Sequence, residues 1–485
     1  MRPLLAVLTA TAVAVLSPAG TPLTASAATS SAPLTAVPAA PAGAAAVVPA
    51  PASPTDCSGT GTSDFDGDGV DDAAAGDPFT DPGGAAGAGA VHVLFSRGER
   101  GKVVTAPTPG AGDGFGWSVR LAEINADGCA DLLVGAPYTD VGGRKDAGAV
   151  YVIYGGPAGR TVRLVAPEPE ADAHFGWSVT SGASLVAVGA PHEDADGVTD
   201  SGAAYVFDVS APGPGRRVSQ ETGGVPGNGE DGDMFGWSLA IGRLGGEAGD
   251  LDLAVGAPYE NDDGAGRQSG GGKRDSGSIA VVFDVNRERD TYRSRKWDLR
   301  EVADTDEDDR FGYAMSYAQQ GDVGYLAVSA PLGDGGGVPD TGLVQLFQAS
   351  SSLELTTAAT LHQDTGNATG DGYGMSLALN AEGGVRLAVG VPFDGKDQKG
   401  GVHLVTVGDG TPGRMIAQGG AGDHFGRSVG FSGNRLVVGA PDRAGSGAVV
   451  LLGRNDAEGL VLAPGTGRIP DVDGAAPVEF GSTVG

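Results

Sequence analysis

Three short sequence elements recur in a fixed order along this chain, and their number limits the folds that it can adopt. The first is an aromatic-Gly step, the second an apolar run ending in Gly-Ala-Pro or a variant of it, and the third an alternating apolar run led by Gly. In that order, the three elements are marked by Phe115, Phe175, Phe235, Phe311, Tyr373, Phe425 and Phe480; by Gly76, Gly135, Gly189, Gly256, Ser329, Gly390 and Gly439; and by Gly89, Gly148, Gly202, Gly277, Gly342, Gly401 and Gly447. Each element therefore occurs seven times.

The spacing of the copies indicates a radial repeat. Successive aromatic-Gly steps lie 60, 60, 76, 62, 52 and 55 residues apart, and the chain contains 86 Gly and 30 Pro. Short apolar runs between turn residues are typical of strands, and a period of this length suits a blade of four antiparallel strands. We therefore predict an all-β fold, a seven-bladed β-propeller of four-stranded antiparallel blades.

The two ends of the repeat region complement each other. The first Pro-ending run, at Gly76, has no aromatic-Gly step before it, and the last step, at Phe480, has no Pro-ending run after it. A ring accounts for this if the C-terminal strand, at about residues 478–485, pairs with the N-terminal blade. Closure leaves no long unpaired strand edge, whereas an open solenoid would carry polar capping repeats.

The N-terminal residues have the pattern of an export signal. A short basic start, an apolar run over residues 4–16 and the small-x-small sequence at residues 25–27 predict a signal peptide of residues 1–27, cleaved after Ala27. Residues 28–56 are rich in Ala, Pro, Ser and Thr and are predicted to be a disordered linker. Residues 57–485 are assigned to the propeller. The apolar run is too short to span a membrane, so we expect a secreted protein without a membrane span.

Charge and cysteine content restrict the partners. The formal net charge of −30 argues against nucleic acid, because binding to phosphates requires a basic surface. It suits either simple solubility or cation binding at particular carboxylates. The two cysteines, Cys57 and Cys129, could form one disulfide in an exported chain, which is too few for a disulfide scaffold.

The acidic segment that starts at Asp64 has the spacing of a calcium loop. Carboxylates occupy its first, third, fifth and ninth positions, and Gly69 occupies the sixth. Calcium takes six to eight oxygen ligands, and alternate carboxylates on a tight loop converge on one centre. The predicted ligands are the side chains of Asp64, Asp66, Asp68 and Asp72 and the carbonyl of Val70.

The next blade has a weaker version of this loop, and the other blades lose it. Its predicted ligands are the side chains of Glu123, Asn125, Asp127 and Asp131 and the carbonyl of Cys129. The fourth blade keeps only the ninth position, as Asp252. A third acidic run, Asp304, Asp306 and Asp308, lacks the glycine and is interpreted as surface charge.

Over residues 57–485 the chain resembles the FG-GAP repeat family, typified by the seven-bladed propeller of integrin α subunits. In that family, acidic loops of this kind join the first and second strands of a blade and bind calcium. The resemblance therefore supports both sets of predicted ligands. It also implies that partners bind to the opposite face, built by the Gly-Ala-Pro loops and the connections between blades.

This loop face is rich in carboxylates and aromatic residues, including Phe79, Tyr138, Tyr259 and Phe393. The loop over residues 259–276 carries an eight-residue insertion, which is either tolerated sequence or a recognition loop. The aromatic residue of each aromatic-Gly step is predicted to pack between blades. The tryptophans that follow three of the steps, Trp117, Trp177 and Trp237, are also predicted to pack in the core; the alternative is a carbohydrate platform.

No arrangement of residues predicts an enzyme. The repeats account for the mature chain, the six histidines are scattered, and no serine lies in a nucleophile elbow. His174 and His424 occupy equivalent positions and are interpreted as packing or turn residues. We predict a monomeric, calcium-binding extracellular adhesion module that recognises a protein or glycan. The alternatives are a hydrolase with its site in the propeller channel, or a propeller related to phosphatidylinositol-glycan phospholipase D without its catalytic domain.

Overall fold

The computed structural model describes residues 57, 62–96, 101–156, 159–211, 213–261, 272–349, 355–364, 366–408, 413–453, 459–466, 469–472 and 479–485. The predicted signal peptide (1–27) and linker (28–56) lie outside these residues. Within them there are short 3-10 helices at Pro82–Gly84, Ala195–Gly197, Leu299–Glu301 and Arg443–Gly445, and the remaining elements are strands. No helix of the described part is long and apolar enough to cross a membrane.

Twenty-eight strands are present in the described residues. The first to the fifteenth are β1 (Ala73–Asp77), β2 (Ala90–Leu94), β3 (Lys102–Val104), β4 (Ser118–Ala122), β5 (Asp131–Ala136), β6 (Ala149–Ile153), β7 (Thr161–Leu164), β8 (Val179–Gly182), β9 (Leu185–Ala190), β10 (Ala203–Asp208), β11 (Arg216–Val218), β12 (Ser238–Gly242), β13 (Asp252–Ala257), β14 (Ser278–Val282) and β15 (Ser294–Asp298). The others are β16 (Met315–Gln320), β17 (Val323–Ala330), β18 (Leu343–Ala349), β19 (Leu355–Leu361), β20 (Ser376–Asn380), β21 (Arg386–Val391), β22 (Gly401–Thr406), β23 (Arg414–Ile416), β24 (Ser428–Ser432), β25 (Arg435–Ala440), β26 (Ala448–Leu452), β27 (Gly459–Leu462) and β28 (Thr483–Val484).

These strands form seven antiparallel four-stranded sheets, as the repeat count predicts. Six sheets are consecutive in sequence, from β4-β5-β6-β7 to β24-β25-β26-β27, and the seventh has the order β28-β1-β2-β3. The first strand of each sheet contacts the first strands of both neighbouring sheets, and the contacts run through β4, β8, β12, β16, β20, β24 and β28 and back to β4. The seven-bladed propeller is therefore confirmed.

The C-terminal strand closes the ring. β28 pairs antiparallel with β1, through Thr483 opposite Gly76 and Val484 opposite Ala75. The Gly485 N–H also donates a hydrogen bond to the Ala74 carbonyl at 3.0 Å, and the Gly485 carbonyl accepts one from the Ala74 N–H at 2.8 Å. The predicted composite blade, built from both ends of the propeller, is thus observed.

The core consists of seven apolar layers between adjacent blades rather than one central core. Every layer contains the aromatic side chain of one aromatic-Gly step, and each of these side chains is at most 1% exposed. The seven are Phe115, Phe175, Phe235, Phe311, Tyr373, Phe425 and Phe480. Their predicted role in packing between blades is confirmed.

In six of the seven blades, a hydroxyl and a glycine form the contact with the next blade. Ser118 Oγ donates a hydrogen bond to the Gly176 carbonyl of the following blade at 2.9 Å. A Cβ atom on Gly135, in the Gly-Ala-Pro element, would overlap that carbonyl oxygen and Ser118 Oγ. Five further blades repeat the hydrogen bond, from Ser178, Ser238, Ser376, Ser428 and Thr483. The glycine is therefore required for close approach of two backbones, not for a turn.

The fifth blade exchanges these two residue types. Ala314 takes the place of the hydroxyl residue, and Ser329 takes the place of the glycine. Ser329 Oγ accepts a hydrogen bond from the Ala314 N–H at 3.0 Å. Since a side chain at the glycine position competes for space with the usual hydroxyl, loss of the hydroxyl at position 314 makes room for a serine at position 329.

Candidate cation-binding loops and the aromatic face

The first acidic loop, from Asp64 to Asp72, leads directly into β1 and is held by its two end residues. The buried Asp72 carboxylate accepts hydrogen bonds from the Phe65 N–H at 3.1 Å and the Ser96 N–H at 3.0 Å. The buried Asp64 carboxylate accepts hydrogen bonds from backbone N–H groups inside the turn, including that of Gly69 at 2.7 Å. The loop is therefore shaped by its own carboxylates.

Three of the four predicted carboxylate ligands converge. Asp64, Asp66 and Asp72 each place one carboxylate oxygen within 4.8 Å of the others. Calcium binds oxygens at ~2.3–2.6 Å, so two of its ligands can be up to about 5 Å apart, and this group fits the ion. Asp68 is exposed and does not belong to the group; its Oδ1 accepts the Val70 N–H at 2.9 Å.

The electrostatics of the loop favour a bound cation. Burial raises the pKa of Asp72 to about 7, and the negative charges of Asp66 and Asp64 raise it further against the hydrogen bonds that lower it. Burial likewise raises the pKa of Asp131 in the second loop to about 7. A nearby divalent ion would stabilise the charged form of such buried carboxylates.

The second acidic loop joins the first two strands of its blade, β4 and β5, and repeats the frame of the first. The buried Asp131 carboxylate accepts the Ile124 N–H at 3.2 Å and the Gly155 N–H at 3.0 Å, as Asp72 does from the equivalent residues. Glu123, at the first position, accepts the Ala126 N–H at 2.7 Å. The weaker sequence pattern therefore forms the same loop.

The ligand side chains of the second loop converge less than those of the first. Asp127 Oδ2 accepts a hydrogen bond from Asn125 Nδ2 at 3.0 Å. Asp127 also lies in a group with Cys57 and Cys129, within 4.8 Å. Because these cysteines are bonded to each other, they offer no thiolate to a metal.

The structure settles the pairing that the sequence left open. Cys57 and Cys129 form a disulfide, with a Cα–Cα distance of 5.2 Å and a sequence separation of 72. The bond attaches the N-terminal end of the propeller to the seventh position of the second acidic loop. Sequence reasoning could not have placed it there, because the loops of different blades become neighbours only when the ring is formed.

The fourth blade keeps the frame of these loops but not their first-position carboxylate. The Asp252 carboxylate accepts the Leu244 N–H at 2.7 Å and the Asp284 N–H at 2.9 Å, which repeats the bonds of Asp72 and Asp131. The ninth-position aspartate is thus a structural residue in its own right, since it ties the loop to the end of the third strand.

Arginines compensate the remaining carboxylates of this fourth-blade loop. The Arg287 guanidinium lies 2.7 Å from Asp250 Oδ2 and 3.0 Å from Glu247 Oε2. Arg289 lies 3.5 Å from Asp284 Oδ2. The guanidinium groups therefore provide positive charge next to the carboxylates of this blade.

The opposite face carries a row of aromatic rings, each of which precedes the first strand of its blade. The half-buried rings of Trp117, Trp177, Trp237 and Tyr313 follow one another across four blades, with centroid distances of 4.8, 4.9 and 5.6 Å. We call these four residues the aromatic arc. The tryptophans therefore pack on one another at the surface, and the prediction that they lie in the core is wrong. The remaining blades have non-aromatic residues at this position: Met375, Arg427 and Ser482.

Aromatic residues of the Gly-Ala-Pro loops surround the aromatic arc. The Tyr138 ring contacts Trp117 edge-on at 5.4 Å, and the Tyr259 ring contacts Trp237 at 5.5 Å. The Arg310 guanidinium lies 4.6 Å from the centre of the Tyr259 ring. Spacing could have suggested this cluster, because Trp117, Trp177 and Trp237 lie at equivalent positions of adjacent blades.

Two histidines extend the same cluster. The His174 ring lies 4.9 Å from Tyr138 and 4.8 Å from His192, whose Nδ1 is 3.2 Å from Asp200 Oδ1. Burial, together with the neighbouring His192, lowers the pKa of His174 to about 4. Near neutral pH, His174 is therefore an uncharged ring packed among aromatic residues, in line with its predicted packing role.

Several carboxylates of the loop face have a structural role that the sequence did not suggest. In five Gly-Ala-Pro loops, the third residue after the Pro has a side-chain oxygen that accepts a hydrogen bond. The donor is the backbone N–H of a later residue in the same loop. The pairs are Asp81 with Gly87, Asp140 with Asp146, Asp194 with Asp200, Asn261 with Asp275, and Asp334 with Asp340, at 2.7–3.2 Å. These side chains stabilise the loops. Most of the long insertion, residues 262–271, lies outside the described residues.

Comparison with known sequences identifies the repeats. Residues 115–153, 159–207 and 415–451 match the FG-GAP repeat. Phosphatidylinositol-glycan-specific phospholipase D of Bos taurus is 30% identical over 173 residues, 32% of this chain and 20% of that protein. Integrin alpha-PS2 of Drosophila melanogaster is 36% identical over 124 residues, 22% of this chain and 9% of that protein. The similarity thus covers only a small part of each relative.

Comparison of structures adds no argument about activity. The structure of a putative 6-phosphogluconolactonase from Bacteroides fragilis covers 86% of this chain, and the chain covers 98% of it. The sequence identity is 14% and the TM-score is 0.47.

Proposed function

We propose that this chain, an FG-GAP repeat propeller that resembles the propeller of integrin α subunits, is a secreted calcium-binding module that recognises an extracellular protein or glycan. The observation that carries recognition is the aromatic arc, a continuous half-buried aromatic surface on the loop face. The Cys57–Cys129 disulfide supports an extracellular location, because such bonds persist in oxidising compartments.

Calcium binding would involve the predicted ligands of both loops. In the first loop Asp64, Asp66 and Asp72 would hold the ion directly, and Asp68 and the Val70 carbonyl would complete the oxygen shell. In the second, Glu123, Asn125, Asp127, Asp131 and the Cys129 carbonyl would do so. The bound ion would neutralise buried carboxylates and hold each loop closed, which is a stabilising role.

We expect calcium to raise the melting temperature of the mature protein by several degrees, and a chelator to reverse the rise. When the free calcium concentration is one hundred times the Kd of a site, binding at that site adds about 2.7 kcal/mol to the free energy of unfolding. Replacing Asp64 and Asp66 by Asn should remove most of the response, as measured by differential scanning fluorimetry with calcium or a chelator.

The control for this experiment removes the same charge elsewhere. Asp304 and Asp322 are exposed, so the double variant Asp304→Asn/Asp322→Asn should respond to calcium like the wild-type protein. A folded wild-type protein whose melting temperature ignores both calcium and chelator would exclude the proposed metal site.

Recognition is proposed for the aromatic arc because half-exposed tryptophans in contact provide large rigid surfaces. Trp and Tyr dominate binding energy at many interfaces, and a single central anchor often contributes ~2 kcal/mol or more. Trp177 has aromatic neighbours of the aromatic arc on both sides, Trp117 and Trp237. It is therefore the expected anchor.

Replacing Trp177 by Ala should weaken binding of the partner by about thirtyfold or more, which corresponds to ~2 kcal/mol. A glycan array and a pull-down from extracellular fluid, both with calcium, would identify the partner, and titration would then compare variants. Met375→Ala is the matched control, because it truncates the equivalent position outside the aromatic arc. Equal affinity of Trp177→Ala and wild type for a captured partner would move recognition away from the aromatic arc.

A further inference from the structure

The two acidic loops are directly connected, although Asp72 and Glu123 are 51 positions apart in sequence. The Ala130 N–H, at the eighth position of the second loop, donates a hydrogen bond to the carbonyl of Asp64 at 2.8 Å. The Gly156 N–H, just after β6, donates one to the carbonyl of Phe65 at 2.8 Å. The first two residues of one loop thus share backbone hydrogen bonds with the blade that carries the other.

The disulfide lies at this same junction. Cys57 is bonded to Cys129, whose carbonyl is a predicted ligand of the second loop. A Cβ atom on Gly67, in the turn of the first loop, would lie 3.1 Å from the Cys57 sulfur and 3.5 Å from the Cys129 sulfur. A Cβ atom on Gly128, in the second loop, would overlap the Cys57 carbonyl oxygen. Cys57 is therefore packed between the two turns.

We infer that the two loops form one cooperative two-calcium unit, coupled through the Cys57–Cys129 disulfide and the shared backbone hydrogen bonds. This inference rests on the proposed calcium binding. An ion in the first loop orders Asp64 and Phe65, and their carbonyls hold the backbone of the second blade at Ala130 and Gly156. The second ion then finds a loop that is already ordered, so less ordering entropy opposes its binding.

The strength of the coupling can be measured by calcium titration of the oxidised mature protein in a calorimeter. Asp64→Asn/Asp66→Asn leaves only the second site, and Glu123→Gln/Asp127→Asn leaves only the first. The association constant for binding both ions to the wild-type protein should exceed the product of the two single-site association constants by about tenfold. This factor lies within the usual 5–150-fold range of allosteric coupling.

The Cys57→Ser/Cys129→Ser variant tests the role of the disulfide. In its background the same set of titrations should give a coupling factor near one. If this variant does not fold, the same titrations of the wild-type and single-loop variants under reducing conditions replace it, and the coupling factor should again fall to near one.

The outcomes separate the two levels of the proposal. A wild-type protein that binds no calcium overturns the proposed function itself. Two calcium ions bound with independent constants leave calcium binding intact but overturn the coupling. A coupling factor that stays near tenfold in the Cys57→Ser/Cys129→Ser variant would show that the disulfide does not couple the two loops.

Discussion

Deletion of residues 478–485 should lower the free energy of unfolding by more than about 5 kcal/mol. The deletion removes the fully buried Phe480 and β28, the first strand of the composite blade. Truncating a buried Phe alone typically costs about 3–5 kcal/mol. The deletion also removes the β28–β1 pairing and the hydrogen bond of about 2.9 Å from the Thr483 hydroxyl to the Gly116 carbonyl, and it exposes the edge of β1. Thermal and urea unfolding would measure the loss.

A synthetic peptide spanning residues 476–485 provides the control. If the missing strand is the cause, the peptide should raise the melting temperature of the truncated protein in a concentration-dependent manner, whereas a scrambled peptide should not. Unchanged unfolding of the truncated protein would show that the ring does not depend on this strand for closure.

Replacing Gly189 by Ala should destabilise the propeller by about 3 kcal/mol or more, at the upper end of the usual range for overpacking. The added Cβ would overlap the Gly236 carbonyl oxygen of the next blade and Ser178 Oγ. Because the first obstacle is backbone, no change of rotamer can relieve it, and the two blades must move apart. Urea unfolding at equilibrium would measure the loss.

Two further variants make this experiment specific. Gly213→Ala is the matched control in the same blade, since a Cβ there meets nothing within 4 Å and its effect should be small. Gly189→Ser/Ser178→Ala reproduces the fifth blade's Ser329 and Ala314, and should be more stable than Gly189→Ser alone. Equal stability of these two variants would mean that hydroxyl and side chain do not compete for the same space.

The fold could be predicted almost completely because its information is periodic. Each aromatic-Gly step and Gly-Ala-Pro run meets the same neighbours in every blade, so counting copies determines the number of blades. The unmatched ends at Gly76 and Phe480 determine how the ring closes. The acidic loops were predictable for a related reason, since the predicted ligands of each loop lie within nine consecutive residues.

The features that join different blades could not be predicted in this way. Cys57 and Cys129 were recognised only as a possible pair, and the arginines that compensate the fourth-blade loop were not recognised. Neither contact has a fixed spacing in sequence, because each depends on which loops the ring brings together. Trp117, Trp177 and Trp237 do have a regular spacing, but it did not show whether they lie in the core or on a face.

The sequence by itself thus determined the architecture, the closure and the residues of both candidate calcium loops, because local spacing and repetition encode them. Only the tertiary structure decided that the two loops are joined through Asp64, Ala130 and the disulfide, and that three tryptophans and Tyr313 form one surface. The physical reason is that each sheet of a propeller is formed by strands that are adjacent in sequence. Each face of the propeller, in contrast, is formed by loops from different blades, which are distant in sequence.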